Sequence, residues 1–244
     1  MTSVASARQG VRPSYQASPT VYRIMKALIT ALMHLLYRYR LTRLGEFPTS
    51  GPVIIIVNHL HLFDPGAVVP AVRRQIVTLV AGKWREHPII RRLMKLAGAI
   101  FVRRGEVDRT ALKACLDVLR NDGVLAIAPE GTRSKTGGLQ RAKPGVAYLA
   151  ARTQATIVPI AFWGTEKFSE WKRLKRPTCR VVVGQPFRLP VFSKKLPTEQ
   201  LQELTDLMMI RLGAMLPESY RGVYAERIAE AEAGKGSELA LLPV

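Results

Sequence analysis

The sequence predicts an α/β fold: a single domain with a largely parallel, helix-flanked mixed sheet and an N-terminal amphipathic helical extension. Three observations carry this expectation. Short, uninterrupted apolar runs recur, the clearest being Val53–Val57 (VIIIV), as suits strands buried on both faces. Segments of helical periodicity separate them. No internal repeat or Pro/Gly/Ser-rich linker divides the 244 residues, and a chain of this length can bury a sizeable core as one unit.

Residues 1–17 are polar and lack periodicity, which reads as a flexible tail. Ser18-Pro19 then looks like an N-cap followed by proline in the first turn. The extension spans residues 18–41, helical to about Arg40. Ile24, Leu28, Ala31, Leu32, Leu35 and Tyr39 fall on one side, and Arg23, Lys26, Thr30, His34 and Arg38 on the other. Such a helix either packs on its own domain or lies at a lipid interface. The catalytic-sized unit runs over 42–216. Its expected strands are Val53–Val57, Ile76–Val80, Ile100–Val102, Val124–Ala128, Ile157–Phe162 and Arg180–Val183. Its expected helices are Ile89–Leu96, Thr110–Leu119, Pro144–Arg152 and Leu201–Leu216. Pro159 inside the fifth run argues for an edge strand or a strand end. Residues 217–244 read as a C-terminal helix and frayed tail.

The 37 Lys and Arg against 18 Asp and Glu give a formal charge of +19. The excess is uneven: residues 1–195 hold 33 basic and 10 acidic side chains, and 196–244 hold 4 and 8. A basic body calls for an anionic partner, whether nucleic acid, anionic lipid or a phosphorylated substrate. Cys115 and Cys179 are too few for a disulfide framework and sit in apolar stretches, as buried free thiols do. The first twenty residues lack the apolar core of a secretory signal. The longest charge-free stretch, Phe47–Phe63, is broken by Pro48, Gly51, Pro52, Asn58 and two histidines, so no spanning segment is expected. The expectation is a protein that is not secreted and lies, peripheral or monotopic, on the cytoplasmic face of a membrane.

In open parallel sheets, ligands bind beyond the carboxyl ends of the strands, so the residues after each strand are the candidates. Asn58-His59-Leu60-His61-Leu62-Phe63-Asp64-Pro65 follows the first run. His59 suits a general base, and a carboxylate such as Asp64 would fix its tautomer. On one continuous helix the two would stand about 140° apart, so the pair needs a loop that ends where Asp64-Pro65 starts a helix. The plainer role for Asp64 is helix capping alone. His59-x-His61 is also a metal-ligand spacing, but a catalytic metal takes about three protein ligands and no third stands out, so no metal is expected. Phe101-Val102-Arg103-Arg104-Gly105 follows the third run and suits a phosphate. Glu130-Gly131-Thr132-Arg133-Ser134 follows the fourth, with Glu130 free to orient Arg133 or a hydroxyl. Lys143 and Gly145 then precede a helix whose N-terminus favours anions. No serine nucleophile elbow, P-loop or dinucleotide fingerprint is present, which favours direct transfer to a substrate hydroxyl activated by His59.

Four blocks in order resemble the glycerolipid (lysophospholipid) acyltransferase family, which includes the 1-acylglycerol-3-phosphate acyltransferases. Asn58-His59 with Asp64 resembles that family's NH-x4-D block, Phe101 to Gly105 its F-x-x-R block, Glu130 to Ser134 its EGTRS block, and Val158-Pro159-Ile160 its V-P-hydrophobic block. The resemblance implies that His59 is the general base and Asp64 its partner. It implies that Arg104 binds the acceptor phosphate, with Arg103 at a variable position. Glu130, Gly131 and Arg133 would bind the acceptor, Lys143 would add a phosphate contact, and Pro159 would shape the acyl or acceptor site. Asn58, Phe101, Gly105, Thr132 and Ser134 join the substrate site as members of these blocks.

The implied reaction moves a fatty acyl group from an acyl thioester, acyl-CoA or acyl carrier protein, to a lysophospholipid hydroxyl. The expected acceptor is 1-acylglycerol 3-phosphate. Glycerol 3-phosphate, another lysophospholipid or an acylated amino lipid are the alternatives within the family, and a lipid-binding or thioesterase relative lies beyond it. No metal or redox cofactor is called for. An anionic membrane surface accounts for the basic body. Arg91, Arg92 and Lys95, and the run Lys172, Arg173, Lys175 and Arg176 beside Trp163, Phe168 and Trp171, are candidate contacts. Nucleic acid is not expected, because no binding motif for it accompanies the charge.

Overall fold

The structure, a computed structural model, describes residues 18–96, 98–103 and 108–234. The chain opens with α1 (Pro19–Leu36), capped by Ser18 Oγ, which accepts from the Val21 N–H. It continues through β1 (Arg38–Arg43), β2 (Val53–Val57), α2 (Asp64–Val68), β3 (Ile76–Ala81), α3 (Pro88–Leu96) and β4 (Ala99–Val102). The second half contains α4 (Arg109–Arg120), β5 (Val124–Ile127), α5 (Gly145–Thr153), β6 (Thr156–Trp163), β7 (Thr178–Val183), α6 (Thr198–Gly213) and α7 (Ala225–Glu232). Short 3-10 turns fill several connections, the longest at Thr165–Arg173.

The seven strands form one sheet in the order β1-β7-β6-β2-β5-β3-β4. Every neighbouring pair is parallel except β6–β7. This is the mixed, mostly parallel α/β sheet that the sequence predicts. Central β2 shows why its residues read as VIIIV. Ile54 and Ile56 pack under α4, α5 and α6 with Cys115, Val146 and Met208. Val53 and Ile55 face the other layer with Met33, Tyr37 and Val68. Both faces are dry, so neither can be polar. The two cysteines are buried on opposite sides of the sheet, and burial pushes both thiols up to about 12, leaving them protonated and inert.

Two expectations are corrected. The N-terminal helix ends at Leu36, not near Arg40, and residues 38–43 form an edge strand parallel to β7. RYRLTR alternates polar and apolar residues, and Tyr39 matches a helical period only by coincidence. Its exposed arginines suit an edge that must not pair further. Pro159 lies inside an interior strand. Its neighbours pair as Ile157 with Phe187 and Ile160 with Val183, so the β7 side carries one extra residue. Pro159 sits at this bulge, where its carbonyl accepts from Gly184 N–H, and a bulge tolerates the missing donor.

Helix α1 is turned the other way from a core-packed helix. It docks through Tyr22 and Met33, while Ile24, Leu28 and Leu35 are 58%, 65% and 66% exposed. The apolar stripe read from the sequence therefore faces outward. Tyr22 Oη accepts from Ile76 N–H, and the Lys26 ammonium donates to the Val72 carbonyl, fastening the inner face to the start of β3. No helix among the described residues is long and apolar enough to cross a membrane.

Strand β6 leaves the sheet through Gly164, whose φ is +93°. A Cβ there would stand 2.0 Å from the Thr178 carbonyl oxygen. Gly164→Ala is expected to cost about 3 kcal/mol or more. Thermal melting checks this, and an unshifted midpoint would contradict the close approach of β6 and β7.

Candidate active site

The site lies where β2 and β5 leave the sheet. Asn58, the first residue after β2, is buried and spends its whole amide on one neighbour. Its Nδ2 donates to the Phe162 carbonyl (2.8 Å) and its Oδ1 accepts from Phe162 N–H (3.0 Å). Asn58 thereby clamps the end of β2 to β6, and it lines the cavity beside His59. The chain turns through residues 59–63, and Asp64-Pro65 begins α2, the break that a His59–Asp64 pair requires.

Asp64 is 3% exposed and accepts four hydrogen bonds. Its Oδ2 faces His59 Nδ1 (2.6 Å) and the backbone N–H groups of Leu60 (2.6 Å) and His61 (2.7 Å). Its Oδ1 accepts from Thr165 Oγ1 (2.7 Å). A carboxyl ringed by donors serves as acceptor throughout, so His59 Nδ1 carries a proton and Nε2 is the basic nitrogen. Thr165 is the residue that sequence reasoning missed. It lies two positions beyond the end of β6, so reading past that strand as past the others would have found it. Its own carbonyl accepts from the buried Tyr37 hydroxyl (3.0 Å).

The Glu130–Ser134 loop holds His59 from the opposite side. Glu130, 3% exposed, accepts from His59 N–H through Oε1 (3.0 Å) and from Gln140 N–H through Oε2 (2.9 Å). The His59 carbonyl accepts from Ser134 N–H (2.8 Å), and Ser134 Oγ donates to the Gly138 carbonyl (2.6 Å). Glu130 and Ser134 therefore grip the His59 peptide unit. Among the described residues, no hydrogen bond joins Glu130 to Arg133; both of its oxygens meet backbone N–H groups, which gives Glu130 a scaffolding role at His59. Burial pushes the Glu130 carboxyl up to about 7, with the Gln140 and His59 donors pulling it back part of the way. Gly131 takes φ +70°, which lets the loop turn under Lys143. The Lys143 ammonium lies 3.5 Å from where a Cβ on Gly131 would stand. Thr132, Arg133 and Lys143 are exposed beside this turn.

His59 and Asp64 stand on the wall of a cavity of about 180 Å³. Val57, Val68, Ile76, Val80 and Ala126 give it an apolar lining, and Gly131 stands at its edge. Pro159 does not line it: its strand neighbours Ile157 and Ala161 belong to the core on the other side of the sheet. Phe101, one residue before the end of β4, pairs with Val80 and is half-buried, with the Arg85 guanidinium 5.5 Å from its ring centroid. Arg103 is exposed, and its backbone N–H donates to Asp108 Oδ2 (3.0 Å). Arg104 and Gly105 lie outside the described residues. His61 turns away from the cavity, its ring centroid 5.3 Å from that of Phe63 and 6.4 Å from that of Phe168. Among the described residues, no three His, Cys, Asp or Glu side chains are grouped as metal ligands.

A histidine held by a buried carboxylate at the mouth of an apolar cavity, with a glycine turn and cations beside it, suits proton transfer on a lipid-like substrate. Residues 38–163, just over half of the chain, match the model of the acyltransferase family. The chain belongs to that family. It is 30% identical over 184 residues to human 1-acyl-sn-glycerol-3-phosphate acyltransferase alpha, a match covering 66% of this chain and 60% of the human protein. It is 29% identical over 126 residues to the 1-acyl-sn-glycerol-3-phosphate acyltransferase of Borreliella burgdorferi, covering half of each. The chain thus spans about 50 to 60% of the length of these relatives. The crystal structure of a 1-acyl-sn-glycerophosphate acyltransferase from Thermotoga maritima superposes with a TM-score of 0.60 at 18% identity, over 87% of this chain and 80% of that one. That likeness establishes that the two chains share a fold.

The raised Glu130 carboxyl makes stability depend on pH. With a folded value of about 7 above an ordinary 4.5, the folded state holds this proton longer than the unfolded state. The contribution is full below about 4.5 and is lost as pH rises to about 7, by about 3 kcal/mol at most. Glu130→Gln removes this titration. Its melting temperature relative to the parent is expected to rise between pH 5 and 8, and a difference that stays flat with pH would contradict a buried, late-ionising carboxyl.

Proposed function

We propose that this chain is an O-acyltransferase that moves a fatty acyl group from an acyl thioester to the free hydroxyl of a lysophospholipid, with 1-acylglycerol 3-phosphate as the preferred acceptor. The observation that carries this reading is the His59–Asp64 pair, 2.6 Å apart, on the wall of an apolar cavity. The acceptor hydroxyl gives its proton to His59 Nε2 as its oxygen attacks the thioester carbonyl. Asp64 stabilises the imidazolium that forms. The tetrahedral intermediate then collapses, the carbon–sulfur bond breaks, and the departing thiolate takes the proton back from His59. Every proton is accounted for without a metal or redox cofactor. The donor is acyl-CoA or acyl carrier protein.

The apolar cavity suits the fatty chain, because burying each methylene contributes about 0.8 kcal/mol. Arg133 and Lys143, exposed at the turn beside it, are candidates to meet the acceptor phosphate, and the F-x-x-R resemblance adds Arg104 to them. The names of the relatives support 1-acylglycerol 3-phosphate as the acceptor. The outward stripe of α1 and the basic body support a site of action on an anionic membrane, peripheral or monotopic on its cytoplasmic face.

Thiol release from palmitoyl-CoA on liposomes, with and without lysophosphatidic acid, tests the reaction. Release is expected to need the acceptor, to yield phosphatidic acid, and to fall at least ~10²-fold in His59→Ala. Near-normal turnover in that variant would sink the assignment, and release without acceptor would make the protein a thioesterase. Vesicle sedimentation tests the membrane reading. Leu28→Glu combined with Leu35→Glu is expected to weaken binding at least ~10-fold without lowering the melting temperature. Unchanged sedimentation would refute the role of α1.

A further inference from the structure

A second cleft lies on the opposite flank of the catalytic centre from Arg133 and Lys143. It occupies about 660 Å³ between Arg38 at the start of β1, Trp163 at the end of β6, Arg180 in β7 and the segment that follows Thr165. Five cations line it: Arg38, Lys167, Lys175, Arg176 and Arg180. The topology explains the convergence. Because β7 alone runs against β6, the starts of β7 and of its parallel partner β1 come to the edge where β2 and β6 end. Glu170 is the one carboxylate in the lining. Nearby Glu166 is occupied, accepting from the Tyr220 hydroxyl (2.7 Å) and Gly164 N–H (2.8 Å). Among the described residues, no ion pair joins any of the five cations to a carboxylate. Five cations gathered around one carboxylate repel one another, and a bound anion relieves that repulsion.

The cleft is fixed relative to the catalytic pair. Thr165, which donates to Asp64, is two residues from Lys167, and Tyr37, which donates to the Thr165 carbonyl, adjoins Arg38. Arg176 is anchored by its guanidinium to the His34 and Tyr37 carbonyls at the end of α1. The cleft covers the ends of β6, β7 and β1, one to three strand spacings of ~4.8 Å from β2, so roughly 5 to 15 Å away.

We propose that this cleft is a phosphate-binding site, separate from the acceptor side of the catalytic centre. Arg38, Lys167, Lys175 and Arg180 supply the charge, and Trp163 forms one wall. Two sources bring a phosphate here: the nucleotide end of a CoA thioester whose acyl carbon lies at His59, or the headgroup of a bilayer phospholipid. Leu174 on the rim is 92% exposed, as a residue facing lipid would be. Only the choice between the sources rests on the acyltransferase reading.

The test uses the full chain and probes that do not turn over. Free coenzyme A and its 3′-dephospho form are titrated while tryptophan fluorescence is followed. Vesicles of phosphatidylcholine, with and without phosphatidic acid, are sedimented in parallel. Lys167→Ala combined with Arg180→Ala, both exposed, is expected to weaken at least one probe about tenfold or more at an unchanged melting temperature. Arg152→Ala combined with Lys194→Ala removes equal charge elsewhere and is expected to change neither. Weaker coenzyme A binding alone assigns the site to the donor, and weaker binding to anionic vesicles alone assigns it to a headgroup. If neither probe responds, or if the control pair responds equally, the proposal is overturned. His59→Ala is expected to bind coenzyme A like the parent, so the outcome stands apart from the test of catalysis.

Discussion

Asp64 accepts four hydrogen bonds at once, from a ring nitrogen, two backbone amides of the 59–63 turn and the hydroxyl of Thr165 beyond β6. A carboxylate buried this deeply is tolerable only when donors replace the water it has lost. The requirement fixes several things together. The turn must curl so that two successive amides point inward, His59 must present Nδ1, and β6 must deliver Thr165 to the same spot. Gly164 makes that delivery possible by letting β6 leave close against β7. The His59–Asp64 pair is therefore a junction between two strand exits that neighbour each other in the sheet.

The second clamp works on the backbone of the same histidine. Glu130 takes its N–H, and Ser134 gives to its carbonyl. With Asn58 binding β2 to β6, the residue between is held at its ring, its amide and its carbonyl. Rigid placement of this kind is what the proposed general base requires, because small displacements of such a group cost large factors in rate. Most of the polar residues in the motifs thus hold His59 in place, and those left free to meet a ligand, Thr132, Arg133 and Lys143, are the exposed ones.

Much of this was legible in the sequence. VIIIV reads as a doubly buried strand, and the five-residue step from His59 to Asp64 demands a break that Asp64-Pro65 provides. Composition also reveals the basic body, though not its distribution over two flanks. What stayed hidden has a physical cause in each case. RYRLTR is too polar to announce a strand, because its pairing is satisfied by backbone on one side only. Asn58, Glu130 and Ser134 carry groups that serve a ligand or a neighbouring peptide equally well, and only the folded geometry decides between them. Thr165 belongs to no motif in the sequence, since its partner lies 101 positions away. The outward turn of α1 could not be read from periodicity, which gives the stripe but not its direction.

The pairing of β1 with β7 has a consequence for how the chain is made. Arg38 pairs with Thr178, 140 positions later. At synthesis rates of about 5–20 residues per second, some 7 to 28 seconds separate the two strands. Throughout that interval β1 has no partner, and α1 precedes a sheet that does not yet exist. Closing so long a loop is entropically slow, so the N-terminal segment docks late, after the central strands have condensed. During translation its apolar stripe is available before the catalytic centre is complete, because Thr165 too has yet to emerge. The order of events thus presents the apolar stripe of α1 before Thr165 can reach Asp64.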